Sequence, residues 1–324
     1  LATSSAASDV YKRQNNNYAI VFPGQGSQSV GMLGEFLHRF KIVKNTFEEA
    51  SDVLGYDLLD LSQNGIASDI VKTEVAQPLI LTSSVAIWRL LEKDFELAPA
   101  CMAGHSLGEW SALTCSDVVA FHDAVALVKK RGEYMQTAVA EDKGAMAAIL
   151  GLEDHTVQSI CGDISNNQIV EAVNFNAPGQ VVIAGDTDAV DAAIVVATEK
   201  GARRALKLDV SAPFHTSLMR SAADRLEEDL RNITFMQPKF DILHNVNCKT
   251  EKSPKAIKEL MLEQIYSPVL WSETIHAMNI YNLFGIIECG AGRILTGLVK
   301  RIHKDYESFS TDNLANYDKT LTML

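Results

Sequence analysis

Residues 99–108 read Pro-Ala-Cys-Met-Ala-Gly-His-Ser-Leu-Gly. A run of small apolar side chains ends in Gly-x-Ser-x-Gly, and a helical pattern follows. This spacing is restrictive. A serine on a tight turn between strand and helix has its Oγ pushed into the open, and its neighbours must be small to avoid collisions. The N–H of the next residue, Leu107, then lies at a helix N-terminus, where it can stabilise an oxyanion. The feature predicts an α/β domain with Ser106 as a candidate nucleophile.

A nucleophilic serine needs a base. In the chain order of α/β-hydrolases the histidine comes late. The candidates after Ser106 are His122, His155, His215, His244, His276 and His303. His122 and His155 sit inside helical patterns. His215 lies in Ser-Ala-Pro-Phe-His-Thr, where a strand ends and a helix begins, and active-site residues are usually presented at such junctions. His244, in a strand-like run, is its nearest competitor.

The rest of the chain has a legible order. Tyr18–Phe22 is a short β-rich run that opens into Pro23-Gly24-Gln25-Gly26, a strong turn signal. Helical periodicity covers 33–64, 77–93 and 117–140. From residue 144 the pattern becomes strand (144–150), helix (153–161), strand (169–174), turn, strand (180–184), helix (188–200) and strand (204–210). This is the β-α-β-β-α-β order of a ferredoxin-like unit. Residues 142–211 therefore read as a small inserted domain, and 18–141 plus 212–324 as the larger body. After Pro213 come a helix over 217–231 and strands over 240–246 and 283–288. The last 20 residues read as a surface loop and a short final element. Leu1–Asn17, rich in Ser, Ala and Asn, reads as a disordered leader or tag remnant.

Composition narrows the function. Of 324 residues, 47% are apolar and 22% charged, enough apolar side chain to build a core. Lys and Arg number 29 against 41 Asp and Glu, a net charge of −12, which disfavours nucleic acid as a partner. No apolar stretch reaches the roughly 18 residues of a membrane span. The five cysteines are widely spaced with no C-x-x-C pair, which suits a cytoplasmic or equivalent reducing compartment. Gly24-Gln-Gly26 and Gly290-Ala-Gly292 do not complete a dinucleotide or phosphate-loop motif. They read as rims of a cleft.

Six motifs occur in order: Phe22-Pro-Gly-Gln-Gly-Ser-Gln28, Gly104-His-Ser-Leu-Gly-Glu109, Lys130-Arg-Gly132 with Met135-Gln136, Asn174-Phe-Asn-Ala-Pro-Gly-Gln180, Pro213-Phe-His-Thr-Ser-Leu-Met219, and Gln264-Ile-Tyr-Ser-Pro-Val269. Together they make the chain resemble the malonyl-CoA:acyl carrier protein transacylases, acyltransferases of fatty acid and polyketide synthesis, over about residues 18–324. The resemblance implies an α/β-hydrolase-like large domain with an inserted ferredoxin-like small domain, in agreement with the pattern above.

It also implies roles. Ser106 would carry the malonyl group as an ester, and His215 would be its base. Gln264 would orient the imidazole through its main-chain carbonyl. The N–H groups of Gln25 and Leu107 would form the oxyanion hole, with Gln25 also touching substrate. Arg131 would bind the malonyl carboxylate, for which a planar guanidinium is suited; without the motif, Lys129-Lys130-Arg131 would read as a solvated helix face. Trp110 and Thr216 stand where Tyr or Phe and Ser are more usual, and Phe214 matches malonyl-selective members.

The expected partners are malonyl-CoA and, transiently, acyl carrier protein, with the enzyme a monomer and no metal or cofactor. Carrier proteins are acidic, so docking requires local positive charge. The candidate pairs are Lys129 and Lys130, Arg203 and Arg204, and Lys300 and Arg301. Alternatives are a polyketide-pathway or malonate-decarboxylase acyltransferase and a serine esterase or thioesterase.

Overall fold

A computed structural model describes residues 17–140, 142–165, 168–210, 212–322 and 324. The expected leader lies outside the described residues except for Asn17.

The centre is a parallel sheet in the order β7-β2-β1-β8-β9, with β1 at Tyr18–Phe22, β2 at Cys101–Gly104, β7 at Ile242–Leu243, β8 at Gly285–Glu288 and β9 at Glu307–Ser310. Alternation divides its side chains between two cores. Ile20, Phe22 and Met102 face one, and Ala19, Val21, Cys101 and Ala103 face the other. A parallel sheet buried on both faces needs apolar residues at successive positions, and the Ala-Ile-Val-Phe of β1 supplies them. Three helices matter for the site: α1 (Thr73–Asp94), α2 (Leu107–Cys115) and α3 (Phe121–Gln136).

A second, antiparallel sheet has the order β4-β5-β3-β6, from β3 (Gly144–Leu150), β4 (Val170–Ala177), β5 (Gln180–Asp186) and β6 (Arg204–Lys207). Helices α4 (Asp154–Ile164) and α5 (Thr187–Glu199) close one face over Ala145, Ala147, Ile149, Val181 and Ile183. The opposite face sends Met146, Val173, Val182 and Ala184 into the core of the parallel layer. The two layers are also joined through backbone. Val269 N–H donates to Val173 O at 2.8 Å and Phe175 N–H donates to Val269 O at 3.0 Å. Ser217 gives its N–H and Oγ–H to the Glu171 carboxylate of β4, at 3.0 and 2.6 Å.

Some elements differ from their sequence reading. The helical run 33–64 is three helices, Gly34–Arg39, Lys41–Leu54 and Leu58–Asn64, broken where Phe40 is extended and where Gly55 takes φ 76°. The helix expected within 117–140 is α3, preceded by a turn with Asp117 at φ 59°. The strand expected over 240–246 pairs only at Ile242 and Leu243. The expected C-terminal loop contains β9, which pairs along its length with β8. Its Glu-Ser-Phe-Ser sequence is polar because it is an edge strand with one side toward solvent.

Candidate active site

Ser106 stands between β2 and α2 with φ 50°, a conformation that costs on the order of 1–3 kcal/mol in a non-glycine residue. The turn closes only because its flanks lack side chains. A Cβ on Gly104 would lie 1.8 Å from the Gly108 carbonyl carbon, and one on Gly108 would lie 2.0 Å from Phe22 O. Asn245, just beyond β7, holds the turn from outside. Its Oδ1 accepts from Ser106 N–H and its Nδ2 donates to Gly104 O, both at 2.7 Å.

His215, also at positive φ (67°), reaches Ser106 Oγ with Nε2 at 2.7 Å. Its Nδ1 meets Gln264 O at 2.8 Å. A carbonyl can only accept, so Nδ1 carries the proton and Nε2 is left as acceptor for the Ser106 hydroxyl. Burial, reinforced by the Arg131 charge, pushes the imidazole down to about 3. His215 is therefore neutral at physiological pH, the form a base requires.

Arg131 is 1% exposed, so the solvated-helix reading does not hold. The close approach of α3 to α1 brings it in, because Gly132 faces Thr73 O where a Cβ would come within 2.7 Å. One terminal nitrogen donates to Gln77 Oε1 at 2.9 Å, and the other to Gln264 Oε1 at 3.0 Å and Ser106 Oγ at 3.2 Å. Its Nε is buried without a partner among the described residues. Burial lowers its pKa to about 10, so it remains cationic at neutral pH.

Ser106, His215, Arg131, Gln25 and Leu107 line one cavity of about 380 Å³ between the two sheets, with Asn174, Asn176, Met146, Val182 and Phe214 among its other walls. Gln264 sits behind it, fully buried. The Gln25 side chain donates to Thr73 Oγ1 at 3.3 Å, and that hydroxyl donates to Gln136 Oε1 at 3.0 Å. His105 Nε2 bonds Asn176 Oδ1 at 2.8 Å, a contact between the two sheets beside the nucleophile. His244, the competing base, lies elsewhere: it is buried against Glu109 at 2.6 Å.

Sequence reasoning gave no role to Glu109, Asn245 or Gln77, and weighed His244 only as a rival base. For Glu109 there was a signal. All of α2 is buried, and Glu109 is the one charge in Leu-Gly-Glu-Trp-Ser-Ala-Leu-Thr-Cys. A carboxylate in a helix apolar on every side must find partners inside.

The acyl transferase domain family matches residues 19–314. The malonyl CoA-acyl carrier protein transacylase of Escherichia coli K12 is 48% identical over 285 residues, 88% of this chain and 92% of that protein. Among solved structures, an acyl carrier protein S-malonyltransferase from Vibrio cholerae superposes with a TM-score of 0.92 at 47% identity, covering 94% of this chain and all of that one. A malonyl-transacylase in complex with its type II polyketide carrier protein gives 0.93 at 45% identity, covering 95% and 99%.

Proposed function

We propose, from the premise that this chain belongs to the acyl transferase family, that it moves a malonyl group from malonyl-CoA to the phosphopantetheine thiol of acyl carrier protein through an ester on Ser106. The observation that carries the reading is a buried, cationic Arg131 within 3.2 Å of the nucleophilic oxygen. An esterase acting on uncharged acyl groups has no use for that charge.

In the first half-reaction the Ser106 hydroxyl passes its proton to His215 Nε2 as Oγ bonds to the thioester carbon. The N–H groups of Gln25 and Leu107 stabilise the resulting oxyanion. The C–S bond breaks, and the imidazolium returns its proton to the CoA sulfur. The carrier thiol then reverses the sequence, giving its proton to His215 and taking the malonyl group. Arg131 pairs with the malonyl carboxylate throughout, and Gln264 O holds the imidazole. The reaction needs no metal or cofactor.

For carrier docking, the candidate basic pairs differ in their surroundings. Lys130 is held by Asp229 at 2.5 Å. Arg203 N–H bonds Leu150 O, next to Gly151, and Gly151 N–H bonds Gly179 O. Arg301 reaches Pro178 O and the Gln180 side chain. Arg203 and Arg301 thus lie close to the turn at residues 178–180, a surface suited to an acidic carrier. The carrier of the 45% identical polyketide relative keeps a polyketide pathway as the second reading for this same chemistry.

The finer architecture is read as an α/β-hydrolase-like body, 18–141 plus 212–324, carrying a ferredoxin-like unit over 142–211. The order β4-β5-β3-β6 with α4 and α5 over one face supports that unit. No helix among the described residues is long and apolar enough to cross a membrane. The five cysteines are unpaired and four are buried, which supports the cytoplasm or an equivalent reducing compartment.

The test is intact-mass measurement after mixing with malonyl-CoA. A malonyl adduct forms on the wild type and is absent in Ser106→Ala; no adduct on the wild type refutes the reading.

A further inference from the structure

Glu109 takes no part in the steps above, yet it is the carboxylate whose charge acts on buried Arg131. Its side chain is 1% exposed. Three donors converge on it: His244 Nδ1 at 2.6 Å, Asn245 N–H at 3.1 Å and Gln264 Nε2 at 2.7 Å. The Gln264 amide lies between this acceptor and the Arg131 guanidinium, which can only donate. Its orientation is therefore forced. The NH2 group meets Glu109 and also Ser106 O at 3.0 Å, and the oxygen meets Arg131.

We infer that Glu109 is a positioning residue for malonyl recognition: through the Gln264 side chain it aims the Arg131 guanidinium at the acyl pocket. The arrangement has a chemical logic. A carboxylate in direct contact with Arg131 would occupy the fork that the substrate carboxylate must enter. A neutral amide placed between them transmits the orientation and leaves the charge available. A glutamine at 109 keeps one acceptor oxygen, and His244 can change tautomer to accept from its NH2, but the charge that orders the amide between position 109 and Arg131 is gone.

The inference rests on Arg131 as the malonyl-carboxylate ligand, and the experiment separates the two. Rates of Ser106 acylation by malonyl-CoA and by acetyl-CoA, which has no free carboxylate, are measured for Glu109→Gln, Arg131→Ala and the double variant. Glu109→Gln is expected to slow malonylation about tenfold or more and acetylation no more than about threefold. Placed on Arg131→Ala it is expected to change malonylation by less than about threefold, since the residue it acts through is gone. Equal losses for the two acyl groups, or a full loss repeated in the Arg131→Ala background, would mean that Glu109 only supports the turn, and the inference falls.

If Glu109→Gln does not fold, as judged by its melting curve, Gln264→Met carries the test. It removes the amide and keeps the carbonyl that holds His215. The malonyl-to-acetyl rate ratio is expected to fall whatever the overall rate, and an unchanged ratio overturns the inference. An Arg131→Ala variant that keeps its malonyl preference overturns the reading of the site instead.

Discussion

The Arg131 guanidinium donates to the Oγ of Ser106 across 3.2 Å, on an oxygen that His215 also holds at 2.7 Å. The hydroxyl is left one role, to donate to the imidazole while accepting from the arginine. One cation thus fixes the proton arrangement at Ser106 and lines the same cavity, where the proposed malonyl carboxylate would meet it. Arg131→Ala is expected to lower malonyl transfer about 100-fold, a loss of about 3 kcal/mol for a charge-assisted pair, while improving the relative use of acetyl-CoA. Competition between the two thioesters reads this directly.

The proton affinity of His215 gives a second prediction. Its pKa is held at about 3 against an ordinary 6.5, first by burial and then by Arg131. Acylation measured as kcat/KM should therefore show no titration of the base near 6.5 and should fall only as pH approaches the low folded value. In Arg131→Ala the neighbouring charge is absent, so the acid limb moves to higher pH. The stability sign follows: between about 6.5 and 3 the unfolded chain binds the proton and the folded chain does not, so this group costs stability as pH falls through that window. A rate profile with an acid limb centred near 6.5 in the wild type would contradict the geometry.

Gly108 offers a test of the turn itself. A Cβ there would meet backbone, Phe22 O at 2.0 Å, which cannot swing aside as a side-chain end could. Gly108→Ala should cost about 3 kcal/mol or more and abolish the malonyl adduct. Denaturant unfolding and intact mass together check it.

The basic surface makes a kinetic prediction. Charge reversal at Arg203, Arg204 and Arg301 should raise the carrier-protein KM about tenfold or more and leave acylation by malonyl-CoA within about twofold. Stopped-flow separation of the two half-reactions distinguishes these effects. An unchanged carrier KM places docking elsewhere.

The parts of the site carried by local pattern were legible in the sequence. Ser106, His215 and Arg131 stand in short motifs whose spacing has a steric or chemical reason, and β3 runs over residues 144–150 as expected. Burial of polar groups was the part not legible. Arg131 follows two lysines; the motif alone pointed it inward, and the Gly132 contact with α1 is the physical reason it turns there. Glu109 lies 135 residues from His244 and 136 from Asn245, so no window of sequence joins it to them. The edge strand β9 hid for a different reason: a strand with one partner and a wet side lacks the apolar run that marks β1.

Strand β4 grips the chain on both sides of the base. Glu171 holds Ser217, two residues beyond His215, and Val173 and Phe175 hold Val269, on the same short segment as Gln264. The imidazole and the carbonyl that steers it are thus moored to one wall of the cleft. That wall works as a jig: a change in β4 that shifted either anchor would carry the Ser106–His215 contact with it.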